Sequence, residues 1–128
     1  MDTRYAARVF GVAGVFNVLV GLAGLVVPDL VLGRLGIGRP ENPIFMQLAF
    51  GLILLLGIGY WLVARHPARN HDLMLLGALG KLFVFPFMLW AWSHGYAGVH
   101  AVGAGFGDLV FAVLFFDVLR RMRGGQDA

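Results

Sequence analysis

Two ionisable side chains interrupt long apolar runs of this sequence. Lys81 is the only charged residue within twenty consecutive, mostly apolar residues, and Asp108 lies inside a second run. An ammonium and a carboxylate inside a membrane mark a path for protons, ions or a solute, or they neutralise each other as a structural pair. Asn17, from a third apolar run, is a candidate hydrogen-bond partner, and Tyr60, from a fourth, is within reach of the same region. These four side chains predict a buried polar centre.

Four apolar segments are long enough to carry these residues into a bilayer. A helix rises about 1.5 Å per residue, so a hydrocarbon core of about 30 Å needs about 20 residues. The hydrophobic fraction is 59%, the charged fraction 13% and the mean hydropathy +0.81, which lie outside the range of soluble proteins. We therefore predict an all-α, integral membrane four-helix bundle, a single domain over 1–128 with spans at about 9–27, 44–64, 73–92 and 101–119 and a tail at 124–128.

The longest connection, 28–43, predicts a short helix lying in the membrane interface between the first and second spans. Pro28 suits the first turn of a helix, and apolar residues alternate with Asp29 and Arg34. The first apolar span follows basic residues, as a signal peptide would. It lacks a small-residue cleavage site followed by a polar domain, so we expect it to be retained.

The arginines predict the orientation. Arg34 and Arg39 fall on one side of the predicted membrane, and seven arginines fall on the other: Arg4, Arg8, Arg65, Arg69, Arg120, Arg121 and Arg123. The positive-inside rule then places both termini in the cytoplasm of a multi-pass protein in a bacterial cytoplasmic (inner) membrane. The sequence pI is near 10.0, but the basic residues sit at the ends of apolar segments rather than on one face, so nucleic acid is not an expected partner.

Helical rise places the polar residues at similar depths. Counted from the cytoplasmic side, Asn17 and Lys81 lie roughly 12 Å deep and Asp108 roughly 16 Å. The third and fourth spans are antiparallel neighbours, so a Lys81–Asp108 pair is expected. A structural role for this pair is favoured over a functional one, because no second acidic relay residue lies nearby.

Small residues at helical spacing predict close contacts between spans. Residues three and four apart share one helix face, so a stripe of glycines lets backbones approach each other. The predicted packing positions are Gly14, Gly21, Gly24, Gly77, Gly80 and Gly105.

Other motifs are weak. The chain has no Cys, which excludes disulfides and thiolate metal sites. The pairs His66/His71 and His94/His100 lack neighbouring carboxylate clusters, so no metal is predicted. The glycines at 103–107 superficially resemble a dinucleotide loop, but no strand precedes them and helix packing is favoured. No catalytic residue and no cofactor is predicted.

Several short motifs along the chain carry a family resemblance. They are Pro28 after the first span, the prolines before the second, Gly59-Tyr60, His66-Pro67-x-Arg69, Leu76-Gly77-x-Leu79-Gly80-Lys81, and Gly107-Asp108-Leu109 with Phe115. Together they resemble a group of small, uncharacterised bacterial four-span membrane proteins. The layout is also loosely similar to DoxX-like proteins, whose named members include a quinone-linked subunit. The resemblance implies that Gly80-Lys81 and Gly107-Asp108 are the positions of interest.

Three functions remain open. The favoured one is a non-catalytic accessory subunit of a larger membrane complex, or a homo-oligomeric bundle, with a mainly architectural Lys81–Asp108 pair. The second is a conduit or transporter for a small solute, protons or ions, favoured by a hydrated cavity at Lys81. The third is a quinone-linked redox accessory subunit beside Phe83, Phe85 and Phe87, favoured by a lateral apolar cleft ending at Lys81 or Asp108. A tightly filled interior favours the first.

Overall fold

The protein is described by a computed structural model that covers the backbone of residues 3–127 and the side chains of residues 3–124. Within that range the chain forms helices and loops and no strand. The elements are α1 (Arg4–Val26), α2 (Pro28–Leu35), α3 (Ile44–Arg65), a 3₁₀ turn (Pro67–Arg69), α4 (His71–Ser93) and α5 (Val99–Asp127).

The predicted fold class is confirmed. Helices α1, α3, α4 and α5 are long and apolar enough to cross a membrane, and α2 is the short helix between the first two of them. The helices extend beyond most of the predicted span ends, and α5 includes residues 124–127, which the hydropathy pattern assigns to the tail. An apolar pattern marks where a chain leaves the bilayer, whereas the helical hydrogen bonds continue into the polar flanks.

The long helices associate as two close antiparallel pairs, α1 with α3 and α4 with α5. Glycines bring the backbones of the first pair together: a Cβ added at Gly57 would lie 2.9 Å from the carbonyl oxygen of Gly14, and one at Gly21 would lie 2.7 Å from the backbone nitrogen of Leu54. Contacts between the two pairs are sparser and run along α1–α5 and α3–α4. The residues that connect the two pairs therefore determine how the four helices are arranged in the bundle.

An aromatic core joins the pairs in the half of the bundle nearest the chain ends. Phe10 of α1 stacks on Phe115 of α5 with ring centroids 4.1 Å apart, and Tyr60 of α3 meets the edge of Phe115 at 5.1 Å. Met74 of α4 is fully buried beside them. Burial of side chains this large supplies the main apolar contact between the two pairs.

Helix α2 closes the opposite end. Gly36 ends α2 in the left-handed conformation, with φ 64°, and the backbone N–H of Gly98 donates a 2.8 Å hydrogen bond to the carbonyl of Leu35. A Cβ on Gly36 would lie 2.7 Å from the nitrogen of Gly98. Both the left-handed backbone and the lack of space for a side chain therefore require glycine at this position. The contact ties α2 to the loop between α4 and α5, over a small cluster formed by Ala91, Ala97 and Ala101.

Large apolar side chains cover the outer surface of all four long helices. Leu19, Leu52, Phe83 and Val113 are each more than half exposed. Exposed apolar area on this scale is incompatible with water but matches the acyl chains of a bilayer. The chain is a small multi-pass membrane protein.

Candidate functional site: a buried lysine between two helix pairs

Lys81 lies near the middle of α4 and its ammonium points into the bundle. It follows the first residue of α4 by ten positions, or roughly 15 Å of helix. Its Nζ lies 2.9 Å from Oδ1 of Asp108 on α5 and 2.6 Å from Oδ1 of Asn17 on α1. We call these three residues the Lys81 centre. The sequence-predicted pair is present, and the Asn17 hydrogen bond joins it.

Burial makes the pairing necessary. The side chain of Lys81 is 5% exposed and that of Asp108 is 15% exposed. An isolated ammonium at this depth would forfeit its hydration with nothing to replace it, which costs several kcal/mol or more. The carboxylate of Asp108 neutralises the charge, and the Asn17 carbonyl oxygen accepts a second hydrogen bond. The centre carries no net charge when both groups are ionised.

The amide of Asn17 is oriented by a further helix. Its Nδ2 donates a 3.1 Å hydrogen bond to the backbone carbonyl of Ile53 on α3. This bond leaves Oδ1 aimed at Lys81. Asn17 lies on the glycine stripe of α1, where the backbone of α3 is close enough to be reached by a short side chain. Asn17 and Lys81 together thereby connect α1, α3, α4 and α5.

Three aromatic rings surround the remaining face of the ammonium. Nζ of Lys81 lies 5.1 Å from the ring centroid of Phe16, 5.2 Å from that of Phe111 and 5.7 Å from that of Tyr60. Each cation–π contact of this kind is worth about 0.5–2 kcal/mol, the larger value applying when water is excluded. Tyr60, predicted as part of the polar centre, contributes its ring face. Phe16 and Phe111 were not predicted.

The sequence only weakly indicates that Phe16 and Phe111 lie beside the ammonium. Phe16 precedes Asn17, and Phe111 follows Asp108 by three positions, which places it one helical turn away. Phenylalanine is common in membrane spans, so this proximity does not by itself distinguish a cation-facing ring from a lipid-facing one.

Five of the six predicted packing glycines lie at helix contacts. Gly14, Gly21 and Gly24 face Trp61, Leu54 and Phe50 on α3, so the stripe on α1 is filled by α3. On the other side, Gly77 faces Tyr60, and a Cβ at Gly105 would lie 3.1 Å from the Cα of Phe85.

Gly80 is the exception. No atom lies within 4 Å of a Cβ added there, so it does not pack against a neighbouring helix. The buried face of α4 runs through Met74, Gly77, Ala78 and Lys81. At 100° per residue Gly77 lies at one edge of this face, and Gly80 lies about 60° further around the helix, outside the face.

A second polar contact joins the ends of α1 and α5. The hydroxyl of Tyr5 donates a 2.9 Å hydrogen bond to Oδ2 of Asp117, and Arg120 and Arg121 also donate to that carboxylate, at 2.9 and 3.0 Å. The guanidinium of Arg121 in turn lies 5.4 Å from the ring centroid of Tyr5. This contact was not predicted, because nothing in the sequence pairs residues so far apart.

A shallow apolar groove of about 270 Å³ runs along α5. It is lined by Phe106, Leu109, Val110, Val113 and Leu114, and neither member of the Lys81–Asp108 pair is among them. Among the described residues no group of three or more His, Asp or Glu side chains is placed to hold a metal ion.

The Lys81 centre thus links the α1–α3 pair to the α4–α5 pair through hydrogen bonds. Comparison with protein-family models, curated proteins and solved structures finds no match to this chain.

Proposed function

We propose that the chain is a non-catalytic protein of the bacterial cytoplasmic membrane with both termini in the cytoplasm. It acts as an accessory subunit of a larger membrane complex or as a self-associating bundle. In this proposal the Lys81 centre is architectural: it fixes how the α1–α3 pair sits against the α4–α5 pair, and so fixes the surface that the bundle presents to lipid and to partners.

One observation carries the proposal: the ammonium of Lys81 divides its hydrogen bonds between the two pairs. Asn17 belongs to the α1–α3 pair and Asp108 to the α4–α5 pair, at 2.6 and 2.9 Å. Apolar contacts permit helices to slide or rotate, whereas a short charge-assisted hydrogen bond permits one register. Contacts between the two pairs are much sparser than contacts within each pair. A hydrogen bond that joins the pairs therefore has a large effect on how they are arranged.

The surroundings of Lys81 support this role over a conduit. A path for protons or ions needs water or a relay of titratable groups at the charge. Here the ammonium meets three aromatic rings, one carboxylate and one amide, and its side chain is 5% exposed.

A quinone-linked role has weaker support. The groove on α5 is apolar, but its lining excludes Lys81 and Asp108, so it does not lead to a polar group of the centre. Phe83 and Phe87 stack on each other at 5.5 Å on the exposed side of α4, which is the expected position of lipid-facing rings. Phe85 meets Phe106 edge-on at 6.0 Å.

A double-substitution experiment tests the architectural role. Lys81→Met and Asp108→Leu are made singly and together, and the free energy of unfolding is measured in detergent micelles. Each single change leaves one buried charge without its partner and is expected to cost about 3–5 kcal/mol. The double variant replaces the pair by apolar side chains of similar size, so it is expected to be more stable than either single variant.

Leu79→Ala on the exposed side of α4 is the control, and it is expected to change stability little because Leu79 is 49% exposed. Losses that simply add in the double variant would mean that the two side chains act independently. That result would remove the proposed function.

A further inference from the structure

Two arginines flank the seam between α1 and α3 where these helices leave the apolar region. Arg8 is the last charged residue before the apolar stretch of α1, and Arg65 is the final residue of α3. Both are exposed. Neither forms an ion pair with any carboxylate among residues 3–124.

A hydrogen bond across the seam shows that both arginines lie at the same end of the α1–α3 pair. Nε1 of Trp61 on α3 donates a 3.2 Å bond to the backbone carbonyl of Gly11 on α1. Arg8 precedes Gly11 by three residues and Arg65 follows Trp61 by four. Each arginine is therefore one helical turn from the same bond, and because the helices are antiparallel both turns lead toward the same end of the bundle.

Carboxylates of the described residues do not compensate these two charges. Asp117 is already engaged by Tyr5, Arg120 and Arg121 on the α1–α5 side. Asp72, in the first turn of α4, forms no ion pair with either arginine. Two positive charges at the same end of neighbouring helices, with no carboxylate among residues 3–124 paired to either, favour binding of an external anion.

The location identifies the kind of anion. Arg8 and Arg65 end apolar segments of membrane-spanning helices, which is the depth of phospholipid phosphates. Guanidinium groups bind phosphate oxygens in a bidentate manner. Trp61 adds a ring that is 37% exposed at the same level, and indole favours the region between headgroup and acyl chain.

We propose that Arg8 and Arg65 bind the phosphate of an anionic phospholipid, with the exposed edge of Trp61 against the lipid's ester region. This site lies at the end of the α1–α3 seam, apart from the Lys81 centre. It does not depend on the role of that centre or on which side of the membrane the termini occupy.

Native mass spectrometry of the purified, delipidated full chain tests the site. Phosphatidylglycerol and phosphatidylcholine with identical acyl chains are titrated separately, and lipid-bound species are counted. The unsubstituted chain is expected to bind phosphatidylglycerol more tightly. In the double variant Arg8→Gln/Arg65→Gln its affinity is expected to fall by about fivefold for each arginine, or roughly 25-fold.

The matched control is Arg34→Gln/Arg123→Gln, which removes the same charge from two other exposed arginines without ion pairs among residues 3–124. It is expected to keep most of the affinity. A second variant, Arg8→Lys/Arg65→Lys, keeps the charge but loses the planar guanidinium and is expected to bind with intermediate affinity.

Folding is followed in the same samples by the lipid-free unfolding temperature. It should stay unchanged in the Arg8→Gln/Arg65→Gln variant because neither side chain forms an ion pair among residues 3–124. Equal weakening in the control would mean attraction by net charge alone and would overturn the proposal. So would full competition of phosphatidylglycerol by millimolar inorganic phosphate, which would identify a site for the free anion instead.

Discussion

Asn17 and Lys81 belong to different helix pairs, and Oδ1 of Asn17 accepts a 2.6 Å hydrogen bond from Nζ of Lys81. The same amide donates to the carbonyl of Ile53 at 3.1 Å. Since Lys81 also binds Asp108, a chain of three hydrogen bonds runs from the backbone of α3 through α1 and α4 to α5. The neutral side chain of Asn17 therefore takes part in two of the three hydrogen bonds, as many as the charged side chain of Lys81.

Replacing Asn17 by Leu is expected to lower the free energy of unfolding by about 1–3 kcal/mol. The change leaves one Lys81 donor without its partner, whereas the Ile53 carbonyl keeps its hydrogen bond within α3. The cost of the buried unsatisfied donor dominates. The free energy is measured by reversible unfolding in micelles.

The effect of Asn17→Leu should depend on Lys81. In a Lys81→Met background the substitution is expected to cost clearly less, because the ammonium that needs the amide is gone. Val15→Ala, on the exposed side of α1, serves as the control. An unchanged cost in both backgrounds would show that Asn17 acts through α3 alone.

The Lys81–Asp108 pair could be predicted because charge is rare inside apolar spans. One ammonium and one carboxylate at similar depth on adjacent helices leave few other pairings, so topology and helical rise were sufficient. The same reasoning included Asn17 as the polar residue nearest in depth. The four spans and the short helix α2 followed from hydropathy and from proline and glycine positions.

Helix rotation and ring placement could not be predicted in the same way. Gly80 was grouped with Gly77 because both are small, but the rotation of α4 turns Gly80 away from its neighbours. Phe16 and Phe111 lie against the ammonium, whereas Phe45, Phe83 and Phe106 are more than half exposed. The residue type is the same in both groups, so it does not distinguish them. A contact such as Tyr5 with Asp117 depends on how α1 and α5 lie side by side, which no local pattern encodes.

Gly57 offers a direct test of how closely α1 and α3 approach. An added Cβ would lie 2.9 Å from the carbonyl oxygen of Gly14 and 2.9 Å from the Cβ of Asn17. Gly57→Ala must therefore push the helices apart, and we expect it to lower the free energy of unfolding by about 1–3 kcal/mol. It should also weaken the hydrogen bond between Asn17 and Ile53.

Gly51 on the same helix is the matched control. Nothing lies within 4 Å of a Cβ at this position, so Gly51→Ala adds helix propensity without a clash. It is expected to be neutral or to stabilise the protein by about 0.5–1 kcal/mol. If both substitutions had the same effect, the close approach at Gly57 would not limit stability.

The proposed orientation predicts which side of the membrane each loop occupies. The chain contains no Cys, so single cysteines report their surroundings without interference. Thr3, Ala68 and Ser93 are exposed positions at the start of the chain, between α3 and α4, and at the end of α4. In intact bacterial cells whose outer barrier admits a membrane-impermeant maleimide, Ser93→Cys should be labelled at once. Thr3→Cys and Ala68→Cys should be labelled only after the inner membrane is permeabilised.

The physical reason is the distribution of arginines. Seven lie on the side of Thr3 and Ala68 and two on the side of Ser93, and basic loops are retained in the cytoplasm. Two of the seven, Arg120 and Arg121, share the carboxylate of Asp117. On the other side Arg39 is paired with Asp29. Among residues 3–124, the side of Thr3 and Ala68 therefore still has more arginines without such an ion pair than the side of Ser93. Labelling of Thr3→Cys and Ala68→Cys in intact cells, with Ser93→Cys protected, would reverse the orientation. Labelling of only one of the first two would contradict the four-span topology itself.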